Sequence, residues 1–130
     1  MNIEKQYGKG TELVWHDRKR FLGMPLSFTR YNLVKKPGSW FKLVLDVGLL
    51  YSVVDEVNLY RICDIRLRQG LLGKMLNTGT IVLKSSDETQ PVLLLKNIKN
   101  PYQVKDLIAT NVEEQRKLHN VRLSEFHDHE

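Results

Sequence analysis

Leu59-Tyr60-Arg61-Ile62-Cys63-Asp64-Ile65-Arg66-Leu67-Arg68-Gln69-Gly70-Leu71-Leu72-Gly73-Lys74-Met75-Leu76-Asn77-Thr78-Gly79-Thr80-Ile81 is the most informative stretch of the chain. From Cys63 to Arg68, apolar and charged residues switch at every step, the pattern of a strand with one face on a core and the other in water. On that reading Cys63 shares the inward face with Ile65 and Leu67 and is expected to be buried as a small hydrophobe. Arg66 and Arg68 share the outward face and form a basic stripe able to receive an anion. The segment Gly70 to Gly79 is too long for a tight hairpin and too apolar for a solvated loop. It is expected to form a helical turn that plugs one end of a barrel.

Outward from this segment, turn residues punctuate the chain at Lys36-Pro37-Gly38-Ser39, at Asp46-Val47-Gly48 and from Ser85 to Pro91. Between them lie runs rich in Val, Leu, Ile and aromatic residues. Glu12–His16, Ser27–Val34, Trp40–Asp46, Leu50–Asn58, Cys63–Gln69, Gly79–Ser85 and Val92–Asn97 read as seven strands. Val92-Leu93-Leu94-Leu95 is apolar on both faces and requires a cover. Asn100-Pro101-Tyr102-Gln103 supplies a capping residue, a proline at the first helical position and Gln at the third. Val104, Leu107, Ile108 and Val112 then recur at helical spacing, so an amphipathic helix is expected to bury its stripe against the sheet. The tail from about Asn120 is expected to fray.

The 130 residues suit one domain, 1–130, with a core over about 12–118 and a mobile tail over 119–130. Composition, at 42% hydrophobic and 27% charged, excludes a disordered or fibrous chain. The single cysteine excludes an internal disulfide and any multi-cysteine zinc module, and the N-terminus lacks the apolar region of a secretory leader. A cytoplasmic location is expected, with peripheral residence at the inner membrane face as a variant. Leu43 to Val54, the most apolar stretch, is interrupted by Asp46 and is too short to span a bilayer, so no transmembrane segment is expected.

The net charge of +5 is uneven. Residues 1–46 carry nine basic and four acidic side chains, whereas residues 101–130 carry four and six. The basic excess gathers at Arg18-Lys19-Arg20, read as one loop, with Arg66 and Arg68 as a weaker stripe. These five residues are the candidate anion- or lipid-binding set; the alternative is a solvated face balanced by nearby acids. Nucleic acid is not an expected partner, because single-strand binding wants aromatics among the basic residues and the fifth strand has none.

Catalytic and metal constellations are weak. Gly70-Leu71-Leu72-Gly73-Lys74 departs from a phosphate loop, with two residues between its glycines and Met75 after the lysine. His127 and His129 lack a third ligand, and His16 stands alone at a strand end. Asp55 and Glu56 are adjacent on a strand and point to opposite faces, and no nucleophile sits in a strand-to-helix elbow. The expectation is a non-enzyme without metal or cofactor.

Several segments resemble the bacterial pleckstrin-homology-like family. Thr29-Arg30-Tyr31-Asn32-Leu33 resembles its second strand, and Val57 to Ile65 resembles its Ile-Pro-Leu-x-Arg-Ile-x-Asp-Val segment. Arg66 to Leu76, with Thr78 to Ile81, resembles the family's stretch after that segment. Leu95 to Pro101 resembles the entry to its helix. The resemblance implies a mainly β fold: a partly open, seven-stranded antiparallel barrel of two near-orthogonal sheets, capped by one C-terminal helix. It implies a non-catalytic binding module whose partner is a protein or a second copy of itself, pairing through an edge strand. The alternative is peripheral binding to anionic lipid through the basic first loop. Eukaryotic relatives of the fold read phosphoinositides through a Lys/Arg-x-Arg pattern, and Phe28-Thr29-Arg30 lacks the basic residue two before Arg30.

Overall fold

The protein was described from a computed structural model covering residues 3–24, 27–48 and 53–128, with side chains to residue 123. Seven strands form two antiparallel meanders. The first sheet comprises β1 (Glu12–Arg18), β2 (Arg30–Lys36), β3 (Trp40–Val47) and β4 (Val53–Asn58), in that order. A 3-10 turn with Leu59 buried, Leu59–Arg61, carries the chain to the second sheet. There β5 (Ile62–Arg68), β6 (Thr78–Ser85) and β7 (Val92–Lys99) pair in sequence. Strands adjacent in sequence pair throughout, since antiparallel neighbours need only a turn to pair, and the longer connections over 19–29 and 69–77 keep the same order.

Two small helices and one long one complete the chain. Helix α1 (Ile3–Tyr7) precedes β1, and α2 (Leu71–Leu76) lies between β5 and β6. Helix α3 (Pro101–Asp128) spans 28 residues, about 42 Å at 1.5 Å per residue.

The core lies between the sheets and under α3. Leu33, Leu43 and Val57 of the first sheet meet Ile81, Leu83 and Leu95 of the second. Val104, Ile108 and Val112 bury the stripe expected of the helix, with Leu107 half-buried at its margin. The helix packs chiefly on the 3-10 turn, β5 and β6 rather than on β7. It continues as helix beyond Asn120 to Asp128. His119 stacks on Tyr60 at 4.0 Å and Arg116 donates to the Ile62 carbonyl, which holds the rod well past the last buried residue.

Strand boundaries differ from the sequence reading in instructive ways. β2 starts at Arg30, three residues later than expected, and runs on to Lys36. Residues 50–52 of the expected fourth strand lie outside the described residues. Helix α1 was not foreseen; its Tyr7 ring meets Trp40 edge-on at 6.5 Å, covering the outer face of β2 and β3, where Asn32, Val34 and Val44 are buried.

Cys63 is exposed, not buried. Ile62 pairs with Ser85 while Asp64 pairs with Lys84, so Cys63 is the extra residue of a β-bulge. The bulge shifts the alternation by one: Ile62 takes the inward place, and Ile65 and Leu67 resume it. Asn100 is likewise not a side-chain cap. It adopts φ 51°, its carbonyl accepts from the Val104 amide, and its side-chain oxygen accepts from Asn77 at 2.6 Å.

The corner where β1 meets β7 joins the two sheets. Asp17 Oδ2 accepts from the Lys99 amide at 2.8 Å, the Arg20 amide donates to the Asn97 carbonyl at 3.0 Å, and the Tyr31 hydroxyl accepts from the Lys96 amide at 3.0 Å. Burial is the main reason the Tyr31 hydroxyl is pushed above the usual tyrosine pKa; the Lys96 amide opposes that shift and Asp17 adds to it.

Candidate binding surface

The connection from β1 to β2 opens with a two-residue hairpin. Phe21 and Met24 exchange both backbone hydrogen bonds, at 2.9 and 3.0 Å, around Leu22 and Gly23. Both central residues have positive φ, 50° and 82°. That geometry suits Asn-Gly; a leucine in the left-handed region costs about 1–2 kcal/mol. The strained leucine is 56% exposed and Phe21 beside it is 66% exposed.

Helix α2 faces this hairpin, and its own apolar side chains are also in solvent. Leu71 is 79% and Met75 74% exposed, so α2 does not plug the barrel as the sequence suggested. Its inner side is made by backbone instead. A Cβ on Gly73 would stand 2.7 Å from the Thr78 carbonyl oxygen, and Leu76 alone turns back to lie near Gly23. Gln69 fixes the helix from below, its amide donating to the carbonyls of Thr78 at 3.0 Å and Gly73 at 3.3 Å. Asn77, at φ 54°, ends α2 by donating its amide to the Gly73 carbonyl.

Between hairpin and helix runs a groove of about 510 Å³, lined by Phe21, Leu22, Leu71 and Leu72 with Arg20 and Arg68. At one end it shares Arg20, Phe21 and Asn97 with a hollow that adds Lys19. At the other it shares Gln69 with a second groove, of about 420 Å³, that adds Arg66, Lys74 and Lys105. Among the described residues, no carboxylate lines any of the three. A continuous rim therefore carries six cations beneath exposed apolar side chains.

Of the five basic residues expected to bind an anion, four lie along this rim: Lys19, Arg20, Arg66 and Arg68. Arg18 does not. It ends β1 opposite Arg30 and lines a separate hollow with His16, Asp17 and Asn32, so Arg18-Lys19-Arg20 is not one loop cluster. Arg20 is also partly neutralised, its guanidinium lying 3.1 Å from Asp17 and donating to the Gly23 carbonyl at 3.2 Å. Lys19, Arg66, Arg68, Lys74 and Lys105 form no ion pair among the described residues.

Lys74 and Lys105 were missed because nothing local marks them; they meet Arg66 only through packing of α2 and α3 around β5. Leu71 and Met75 are legible in the sequence as apolar residues, but the expected helical turn places them in a plug at the barrel end rather than in solvent.

Asp55 is half-buried while Glu56 is exposed and pairs with Lys42 at 3.5 Å, so the two carboxylates are not joined in one site. No group of three or more His, Cys, Asp or Glu placed to hold a metal occurs among the described residues. No helix among them is long and apolar enough to cross a membrane. Comparison with known proteins finds no family model, no curated protein and no solved structure that matches this chain.

Proposed function

We propose that this chain is a non-catalytic binding module of the bacterial pleckstrin-homology-like type that docks peripherally on an anionic membrane face. Four plus three antiparallel strands with a closing helix support the family reading. One observation carries the docking: a cationic rim that no carboxylate lines among the described residues, beneath apolar side chains held in water, one of them at a strained backbone position. Phe21, Leu22, Leu71 and Met75 enter the interfacial zone, and Lys19, Arg66 and Arg68 meet lipid phosphates at about 1 kcal/mol each. Neither half suffices alone, since a single shallow apolar contact or a few screened charges gives only marginal residence.

Flotation with phosphatidylglycerol vesicles tests this. Binding is expected at low ionic strength, weakening with salt, and lost both in Leu71→Ser/Met75→Ser and in Lys19→Glu/Arg68→Glu. Absence of binding at low salt sinks the proposal.

A second reading, association with a protein or with a second copy, draws on β4. This strand is an edge of the first sheet and exposes Val53 and Val54 beside Val47 of β3. Light scattering over a concentration series decides it: a monomer at every concentration removes self-association.

A further inference from the structure

The groove between β5, α2 and α3 has features that general membrane attraction does not require. Arg66 projects from β5, Lys74 from the second turn of α2 and Lys105 from the first turns of α3, and all three line one hollow of about 420 Å³. Tyr102 lines it too and brings a hydroxyl donor. Asp106, next to Lys105, is exposed but does not line the groove, and Asp64, two residues before Arg66, does not either. Three like charges from three elements repel one another and are not compensated within the described residues. The α2 support is tied to β6: Gln69 donates to the carbonyls of Gly73 in α2 and Thr78 in β6, and Gly73 lies flat on Thr78.

We infer that this groove is a binding site for a dianionic phosphate group, the terminal phosphate of a phosphomonoester or of pyrophosphate. A phosphomonoester carries close to two charges at neutral pH and offers three strong acceptor oxygens, against one charge on a diester. Arg66 supplies the forked donor that matches two phosphate oxygens, while Lys74 and Lys105 act as point charges on either side. The groove lies beside the apolar rim, so a lipid headgroup reaches it when the rim is in the interface. It rests on the membrane proposal only for that source; a free phosphate compound reaches the same groove from solution.

The test has two arms, each run on the wild-type chain and on Lys74→Gln/Lys105→Gln, whose replaced side chains lie outside the core. In the first, pyrophosphate is titrated into the isotope-labelled protein. Amide shifts at Arg66, Lys74 and Lys105 are expected, with affinity about tenfold or more weaker in the double variant. In the second, vesicles containing phosphatidic acid are compared with phosphatidylglycerol vesicles matched in surface charge. A preference for phosphatidic acid that the double variant loses identifies a lipid headgroup as the source. Equal binding to both vesicles, with pyrophosphate still perturbing the groove, identifies a soluble phosphate. If neither vesicle binds while pyrophosphate does, the membrane proposal falls and this site stands. The site is refuted if pyrophosphate leaves those amides unmoved and phosphatidic acid gains no preference, or if the double variant changes neither.

Discussion

Leu22→Asn separates the stability of the fold from the use of its rim. Leu22 sits at φ 50° in a two-residue hairpin, with Gly23 at 82°. Asparagine occupies that backbone region readily, whereas leucine there costs about 1–2 kcal/mol. The substitution is expected to recover roughly half of that cost, about 0.5–1 kcal/mol, because Leu22 also has about half its surface packed and loses those contacts. For a domain of this length the gain corresponds to a melting temperature raised by about 2–4 °C. Binding should move the other way. Full burial of a leucine is worth about 1.5–3 kcal/mol; scaled by the 56% that Leu22 leaves exposed, its insertion contributes about 1–1.5 kcal/mol. Affinity for phosphatidylglycerol vesicles should therefore drop about 5- to 15-fold. Calorimetry and vesicle flotation on the same preparation read the two quantities. A variant that melts higher and binds as tightly as wild type refutes insertion of Leu22, and one that melts lower refutes the strain at the hairpin.

Contacts inside the fold give three further outcomes. Tyr31→Phe removes the acceptor of the Lys96 amide at the corner joining the sheets, and chemical denaturation should show a loss of about 1–2 kcal/mol. Gly73→Ala puts a methyl 2.7 Å from the Thr78 carbonyl oxygen; the expected cost is about 1–3 kcal/mol, with weaker vesicle binding because α2 must shift. The Asp87 carboxyl is held below the usual carboxylate range, first by the Thr89 hydroxyl at 2.7 Å and then by the Thr89 amide. Since its folded pKa is depressed, its contribution to stability is present above the unfolded value and fades as pH falls through the folded one. Carboxyl carbon shifts followed by NMR should place its midpoint below the ordinary 3.8, and Thr89→Ala should return it toward that value.

What was legible in the chain was local. Strand positions follow from runs of β-formers and the turns between them, and the period-two stripe of Arg66 and Arg68 is a property of β5 alone. The start of α3 was also readable, since a proline suits the first helical position whatever caps it. Helix α1 is five residues long, too short for any periodicity. The bulge at Cys63 inserts one residue into a pairing, and a single strand carries no mark of where its partner slips. The most consequential miss, the exposure of α2, arose because apolar residues between strands look like core. Their placement is decided by Gly73, which brings backbone so close to β6 that no side chain fits between.

The same logic explains why the basic run at Arg18 to Arg20 was a poor guide to charge. Arg18, the last residue of β1, lines one hollow while Lys19 and Arg20 line another, and Arg20 folds back onto Asp17 three residues away. Asp17 is in turn fixed to the Lys99 amide. Arg20 is thus drawn into the corner that joins the sheets, with only 21% of its side chain exposed, and an anion at the rim gains little from it. Arg66, Lys74 and Lys105 have no such carboxylate among the described residues, and they meet because α3 packs on β5 beside α2. Charge reversal at Arg20 should therefore act mainly on stability, whereas charge reversal at Lys74 should leave the melting temperature nearly unchanged and act on binding. If both act on binding alone, Asp17 does not hold Arg20 in solution.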